Sequence, residues 1–166
     1  MSIYLPQRCI INVMKVSDVF QKNIGYTTPE STLIEAAKYI FGHGHKGIPV
    51  VKKNSKKLIG FITEQDILSQ LFPQVQSLFE DYIHERDFEE MEMNIKPILK
   101  RRVKEVMTRT IIAIHVDEPL LKAESIMKLK DISRLPVIDS KGTLLGIISK
   151  VDIFRALVSH KLRGFK

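Results

Sequence analysis

The chain repeats itself, and that repeat limits what it can fold into more than any single residue does. Gly60-Phe61-Ile62-Thr63-Glu64-Gln65-Asp66 is answered by Gly146-Ile147-Ile148-Ser149-Lys150-Val151-Asp152. With Val16 laid on Val103, the pairs Val19/Val106, Ile24/Ile111, Leu33/Leu120, Ala36/Ala123, Pro49/Pro136 and Val50/Val137 coincide without a gap. One residue then drops out between Lys52–Lys57 and Asp139–Thr143, after which Ile62/Ile148, Ile67/Ile153 and Leu71/Leu157 coincide. The deletion falls in a polar stretch between two apolar runs, where a hairpin turn absorbs a change of length. Two units of one topology are therefore expected, and neither is large enough to bury a comfortable core alone.

Periodicity gives the order of elements within each unit. In the first, Ile24–Thr27 reads as a short strand. Pro29 and Thr32 introduce a helix whose Leu33, Ala36, Ala37 and Ile40 share one face, and Gly42 and Gly44 end it. Ile48–Val51 and Leu58–Ile62 are β-branched apolar runs around a Lys/Asn/Ser turn, which predicts an antiparallel hairpin, and Ile67, Leu68 and Leu71 begin a closing helix. The second unit repeats this through Ile111–Ile114, Leu120–Leu129, Leu135–Ile138, Leu144–Ile148 and Ile153–Val158. The predicted fold class is mixed α/β of the α+β kind: two tandem β-α-β-β-α units packed pseudo-symmetrically, each sheet covering the other's exposed apolar surface. Their bounds are placed at 10–72 and 103–160. Residues 73–102 between them carry Val75, Leu78, Phe79, Tyr82 and Ile83 on one helical stripe, then the acidic run Glu85–Glu92, and read as a connecting helix that Pro97 breaks before the basic stretch Lys100–Arg109.

Composition excludes several classes. Hydrophobic residues make up 44% and charged residues 27% of the 166, as expected of a globular chain rather than a disordered one. No apolar run is long enough to cross a bilayer and the N-terminus lacks signal-peptide order, so no membrane association and a cytoplasmic location are expected. Cys9 is the single cysteine, which rules out an internal disulfide and reads as a small buried hydrophobe. His43-Gly44-His45 offers two imidazoles but no third ligand at metal spacing, so a solvated loop is the better reading. No nucleophile–base pattern or phosphate-transfer loop is present, and no catalytic residue or metal site is assigned. The net charge of +7 favours phosphate-bearing partners. The Lys52–Lys57 turn and the 100–109 cluster lack the interleaved aromatics of a stacking nucleic-acid reader, which favours solvated basic surface.

The repeated Gly60–Asp66 and Gly146–Asp152 motif describes a strand running into a helix N-terminus. Free backbone N–H groups and the positive end of the helix dipole suit an anion there, and Thr63 or Ser149 can donate to a phosphate. Asp66 and Asp152 can accept both hydrogens of a ribose diol. Ser/Thr-x-x-Asp is equally a capping box, in which the carboxylate returns to the cap's own N–H.

The joint order Pro29–Ala36, Gly47-Ile48-Pro49-Val50-Val51, Leu58–Thr63 and Asp66-Ile67-Leu68, followed in the second copy by Ser133-Arg134-Leu135-Pro136-Val137-Ile138-Asp139, resembles a CBS domain pair, or Bateman module. The resemblance implies two pseudo-twofold-related clefts between the copies that hold AMP, ADP, ATP or S-adenosylmethionine as a regulatory ligand, with no catalytic cofactor. On matching positions, Asp66 and Asp152 would hold ribose hydroxyls and Thr63 and Ser149 would approach phosphate. Ile48-Pro49 and Leu135-Pro136, with Gly25-Tyr26 and Ile112-Ala113, would enclose the base. Arg134 matches the phosphate-binding arginines of the nucleotide-sensing subunit of AMP-activated kinase. Its counterpart is Gly47, with Lys46 beside it, so unequal clefts are expected, the one containing Asp152 taking the phosphorylated ligand. His115-Val116 departs from the family's small polar residue and proline after the first strand. The implied function is a non-catalytic sensor, commonly a homodimer, that signals to a separate effector protein. The competing reading is a nucleic-acid-binding or transcription-associated regulator that uses its basic surface. An enzyme acting on nucleotides is the least favoured reading.

Overall fold

The computed structural model describes residues 13–71 and 88–163. Cys9 and the stripe Val75–Ile83 lie outside the described residues. The first copy comprises helix α1 (Leu33–Gly42), strands β1 (Gly47–Val51) and β2 (Leu58–Thr63) and helix α2 (Glu64–Leu71). Helix α3 (Phe88–Leu99) follows. The second copy comprises the short helix α4 (Val103–Val106), strand β3 (Ile114–His115), helix α5 (Leu120–Leu129), strands β4 (Arg134–Ile138) and β5 (Leu144–Ser149) and helix α6 (Lys150–Arg163).

Local chemistry accounts for the boundaries. Thr32 caps α1 by accepting from the Glu35 N–H, while the Glu35 carboxylate accepts from the Thr32 N–H at 2.8 Å. The predicted face Leu33, Ala36, Ala37 and Ile40 is buried. Strands β1 and β2 pair antiparallel, as do β4 and β5, and both hairpins carry a register shift at the equivalent place, Val50/Val51 and Val137/Ile138. The single-residue deletion sits in the connecting turns, which solve the turn differently: Lys56 takes a positive φ in the longer one and Gly142 in the shorter. In the second turn the Asp139 carboxylate accepts from the N–H groups of Lys141 and Thr143. Helix α3 continues two residues past Pro97 before ending at Leu99. A proline so close to the C-terminus removes only one bond of the last turns.

The expected first strands are shorter than their apolar runs. In the first copy only Thr27 pairs, parallel to Val50, and in the second only Ile114 and His115 pair, with Val137 and Ile138. The cause lies upstream. The Gln21 N–H donates to the Ile147 carbonyl and the Ile147 N–H to that of Gln21, at 2.8 and 3.0 Å. The chain is thus bound to the second copy at Gln21 and to the first at Thr27, and the residues between must cross. Thr108 is tied in the same way to Phe61, both bonds 2.9 Å, before Ile114 joins its own sheet.

This exchange of leading segments is symmetric and deep. The Val16 N–H donates to Glu118 and that of Leu120 to Met14. In the mirror arrangement the Val103 N–H donates to Ser31 and that of Leu33 to Arg101. Val16 is fully buried in the core of the second copy with Ile114, Leu120, Met127, Leu135 and Ile148. Val103 and Met107 are buried in the core of the first with Leu33, Ile40, Ile62 and Ile67. Full burial of a valine side chain is worth about 1.5–3 kcal/mol, so each copy's interior is completed by its neighbour's chain.

The repeated glycines serve this crossing. A Cβ on Gly146 would collide with the Gln21 carbonyl and come within 2.6 Å of the Phe20 ring; one on Gly60 would come within 2.7 Å of the Met107 sulfur. The basic stretch is spent here too. Lys104 pairs with Glu30 at 3.1 Å, Arg101 with Glu105 at 3.0 Å, and Arg102 donates to the Glu30 carbonyl.

Val16→Ala and Val103→Ala should each destabilise the protein by about 2 kcal/mol. Hydrogen-exchange mass spectrometry should show the loss in the opposite copy: faster exchange in α5 and β5 for Val16→Ala, and in α1 and β2 for Val103→Ala. Faster exchange confined to the copy in which the valine lies in sequence would contradict the exchanged packing.

Candidate ligand-binding clefts

The crossing segments leave two clefts, each walled by both copies. The first has Gly25, Ile48 and Pro49 of the first copy facing Ile147, Ser149 and Asp152 of the second, with Gln21 and His45 at its edge. The second has Ile111, Ile112 and Pro136 of the second copy facing Phe61 and Thr63 of the first, with Lys46 and Lys150 at its rim. They are unequal in size, about 110 Å³ for the first and about 560 Å³ for the second. Small-molecule sites span about 300–1,000 Å³, so the second is open to a nucleoside and the first is narrow.

The expected site residues are therefore partnered across the copies rather than within them. Asp152 and Ser149 stand opposite Gly25 and Pro49, and Thr63 stands opposite Ile112 and Pro136. Arg134, at the start of β4, lines both clefts. Its charge does not assign phosphate to the cleft of Asp152 alone, and the second cleft adds Lys46 and Lys150 to it.

Three expected base-enclosing side chains are placed elsewhere. Leu135 is fully buried in the second core, because alternate residues of a strand face opposite ways and Arg134 and Pro136 hold the cleft side. Tyr26 lies outside the cleft that Gly25 lines. Its ring lies in a surface depression with Lys22 and Tyr39, the Lys56 ammonium 5.5 Å from its centroid. Ala113 is half-buried and lines neither cleft.

Both Ser/Thr-x-x-Asp motifs form capping boxes. The Thr63 N–H and hydroxyl donate to Asp66 Oδ2 at 2.8 and 2.7 Å, and the Asp66 N–H donates to Thr63 Oγ1 at 3.1 Å. Ser149 and Asp152 repeat this at 2.9, 2.6 and 3.2 Å. The box leaves one carboxylate oxygen for a ligand but spends the single hydroxyl proton of Thr63 and of Ser149, so the expected donation from these hydroxyls to a phosphate does not occur while the box is intact. Asp152 Oδ1 accepts from the Gln21 side-chain amide at 2.8 Å, and among the described residues no side chain donates to Asp66 Oδ1. Asp66 itself lines neither cleft.

Gln21 and Ile147 in the first cleft and Lys150 in the second were given no site role by the sequence, and His45, read there as part of a solvated loop, lines the first cleft instead. Each follows from the exchange of segments, which periodicity within one copy does not encode. His45 is half-buried, and its Nδ1 accepts from Arg134 Nη1 at 3.4 Å. Burial, then the charge of Arg134 and then that of His43 hold its pKa below the usual histidine value. His43 stacks on Tyr39 and reaches its carbonyl through Nδ1 at 3.0 Å. The described residues contain no group of three metal-ligating side chains, and no helix among them is long and apolar enough to cross a membrane.

The sequence model of the CBS domain matches residues 16–72 and 103–159. Protein MJ1426 of Methanocaldococcus jannaschii, uncharacterised, is 31% identical over 88% of this chain and 92% of its own. Other relatives are much longer. The homoserine O-acetyltransferase of Methanohalobium evestigatum is 28% identical over 86% of this chain, which spans only 24% of the enzyme. Among solved structures, protein MJ1225 of M. jannaschii superposes with a TM-score of 0.70 at 26% identity over 86% of this chain and 47% of its own. The CBS domain pair of protein MJ0100, solved with 5′-methylthioadenosine and S-adenosyl-L-methionine, superposes with a TM-score of 0.62 at 25% identity over 89% of this chain and 98% of its own. Two matched domains, two interlocked copies of one fold and two shared clefts give one conclusion: the chain belongs to the CBS domain family and is a CBS domain pair.

Proposed function

We propose that this protein is a non-catalytic sensor of adenosine-containing ligands, which bind in the shared clefts and shift the packing of the two copies. The observation that carries the reading is the composition of the clefts: each is walled by both copies, so a ligand that fills one contacts both. Such a ligand stabilises the arrangement in which both walls are in place, and differential affinity of that kind moves a conformational equilibrium. The chemistry of the walls suits an adenosine. Apolar Pro49, or Ile112 and Pro136, offers surface to a base, while Ile48, like its counterpart Leu135, is buried in the core. Asp152 holds a carboxylate oxygen toward the first cleft, where a ribose diol can replace the Gln21 amide, and Arg134 offers a cation to phosphate. That the similar MJ0100 pair was solved with methylthioadenosine and S-adenosylmethionine supports this ligand class.

Transmission to a separate effector belongs to the same proposal, as does a homodimer. Two pseudo-equivalent pairs of exposed apolar side chains support the dimer: Ile34 with Leu68 in the first copy, and Leu121 with Phe154 in the second. The basic stretch at 101–109 is engaged in intramolecular pairs, which weakens the competing nucleic-acid reading.

Ligand-free protein should be stabilised by AMP, ADP, ATP or S-adenosylmethionine. At a hundredfold excess over the dissociation constant the gain is about 2.7 kcal/mol, or several degrees in melting temperature. Asp66→Ala combined with Asp152→Ala should remove it; no shift with any of the four ligands would refute the sensor reading. Arg134→Ala should weaken the phosphorylated ligands about tenfold or more while leaving S-adenosylmethionine within about twofold, since a charged hydrogen bond is worth about 1.5–3 kcal/mol. Sedimentation velocity should show a dimer that Leu121→Asp with Phe154→Asp converts to monomer.

A further inference from the structure

We propose that His45 is a phosphate-recognition residue of the first cleft and that the cleft takes up a proton at His45 when a phosphorylated ligand binds. The inference rests on the adenosine-sensor reading above and adds a residue and a chemical coupling to it.

Position comes first. His45 lines the first cleft beside Gly47 and Ile48, immediately before β1 begins, and Arg134 reaches it from the other copy. An arginine only donates, so in the 3.4 Å contact His45 Nδ1 is the acceptor, the arrangement that a neutral ring makes. The contact joins the two copies across the narrow cleft. The ring is also held in place. His45 stacks over His43 at 5.9 Å between centroids, with 10° between the planes, and His43 stacks over Tyr39 at 4.3 Å. The His45 N–H bonds the Ile40 carbonyl at 2.9 Å, which ties the loop to the end of α1.

The groups facing His45 then determine the sign of the coupling. From α1 and its cap come Tyr39 and His43, from β4 the Arg134 guanidinium, and from the chain itself the adjacent Lys46. Across the cleft stands the Asp152 carboxylate, already engaged by Ser149 and Gln21. Without ligand the nearest full charge is positive, which together with burial favours the neutral ring. A phosphate that widens this narrow cleft by entering between Arg134 and His45 and parting their contact reverses this. It takes the guanidinium as its partner, frees Nδ1 and places negative charge beside the imidazole, so the ring gains a proton and becomes a second donor to the phosphate. A folded-state pKa that is low without ligand and higher with it gives proton uptake in the interval between the two values. Affinity is then greatest below that interval and falls as pH rises through it.

The test is calorimetric titration of AMP into the full-length protein and into His45→Gln, at about pH 6 and pH 8 and in buffers of different ionisation enthalpy. The phosphate titrates in the same range and couples to the ring, so the reference is S-adenosylmethionine, which carries no phosphate, titrated into both proteins under the same conditions. Wild type should bind AMP about five- to tenfold more tightly than His45→Gln at the lower pH, about equally at the higher, and should take up protons that the variant does not. Proton NMR of the wild type gives the same answer without a substitution: the His45 ring titration should move upward on saturation with AMP and stay in place with S-adenosylmethionine. Equal pH dependence in the two proteins, or an unmoved His45 titration, overturns the inference and leaves the sensor reading intact. Binding of S-adenosylmethionine with none of AMP also overturns the inference alone, whereas no binding of either overturns both.

Discussion

Backbone exchange between the two copies is the constraint on which the rest of the structure depends. Met14–Gln21 and Arg101–Thr108 each leave their own copy and complete the other, through paired N–H and carbonyl groups that no side-chain change can delete. The hairpin turns add a third tie, with the Leu58 N–H donating to Gly142 and the Leu144 N–H to Lys56, each at 3.0 Å. A small unit with a two- or three-stranded sheet would otherwise expose the face that Val16 or Val103 now covers. Pseudo-symmetry follows directly, since each segment must find in the other copy the groove that its own copy offers to the partner.

The clefts are a by-product of that exchange. A chain bound to one sheet at Gln21 and to the other at Thr27 has to cross the gap in between, and its unpaired residues, Asn23 to Gly25, become a wall. The opposite wall is the strand end that received the crossing segment, with Ile147, Ser149 and Asp152. Cleft walls and interface are therefore the same residues, so a molecule held in either cleft would touch both copies. The capping boxes fit this economy: in the Ser149/Asp152 pair one carboxylate oxygen fixes the helix start, and the second is turned outward to a donor from the other copy.

Much of the fold was legible in the sequence because the repeat displays each element twice, and a turn or a helix face that survives in both copies is seldom accidental. The α1 face, both hairpins and the site of the deletion were all readable from periodicity. The first strands were over-extended because apolar runs at Ile24 and Ile111 look the same whether they pair with a neighbour or line a cleft. The partners of Asp152 and Thr63 were not readable at all, since periodicity reports which way a residue faces within its own unit and is silent on which unit lies opposite. Tyr26, Leu135 and Ala113 were expected at the base because the family resemblance carries over whole dipeptides, of which the clefts take Gly25, Pro136 and Ile112. Glycines 60 and 146 are a different case. They are prominent in the motif, yet the steric demand they meet comes from Met107 and Gln21 of the other copy.

The inequality of the two clefts also has a structural origin. Arg134 opens β4, whereas the matching position in β1 is Gly47, and a Cβ there would lie 2.7 Å from the Ile62 carbonyl and 2.8 Å from the Phe61 ring. The second copy carries Ile147 where the first has Phe61, so the aromatic edge that crowds Gly47 has no counterpart beside Arg134. The first copy thus cannot supply a cation from this position without displacing its own strand partner. Arg134 lines both clefts, and under the proposed function a phosphate that paired with it in one would withdraw it from the other. Its contact with His45 gives the first cleft a hold on the guanidinium, whereas the second cleft has Lys46 and Lys150 besides.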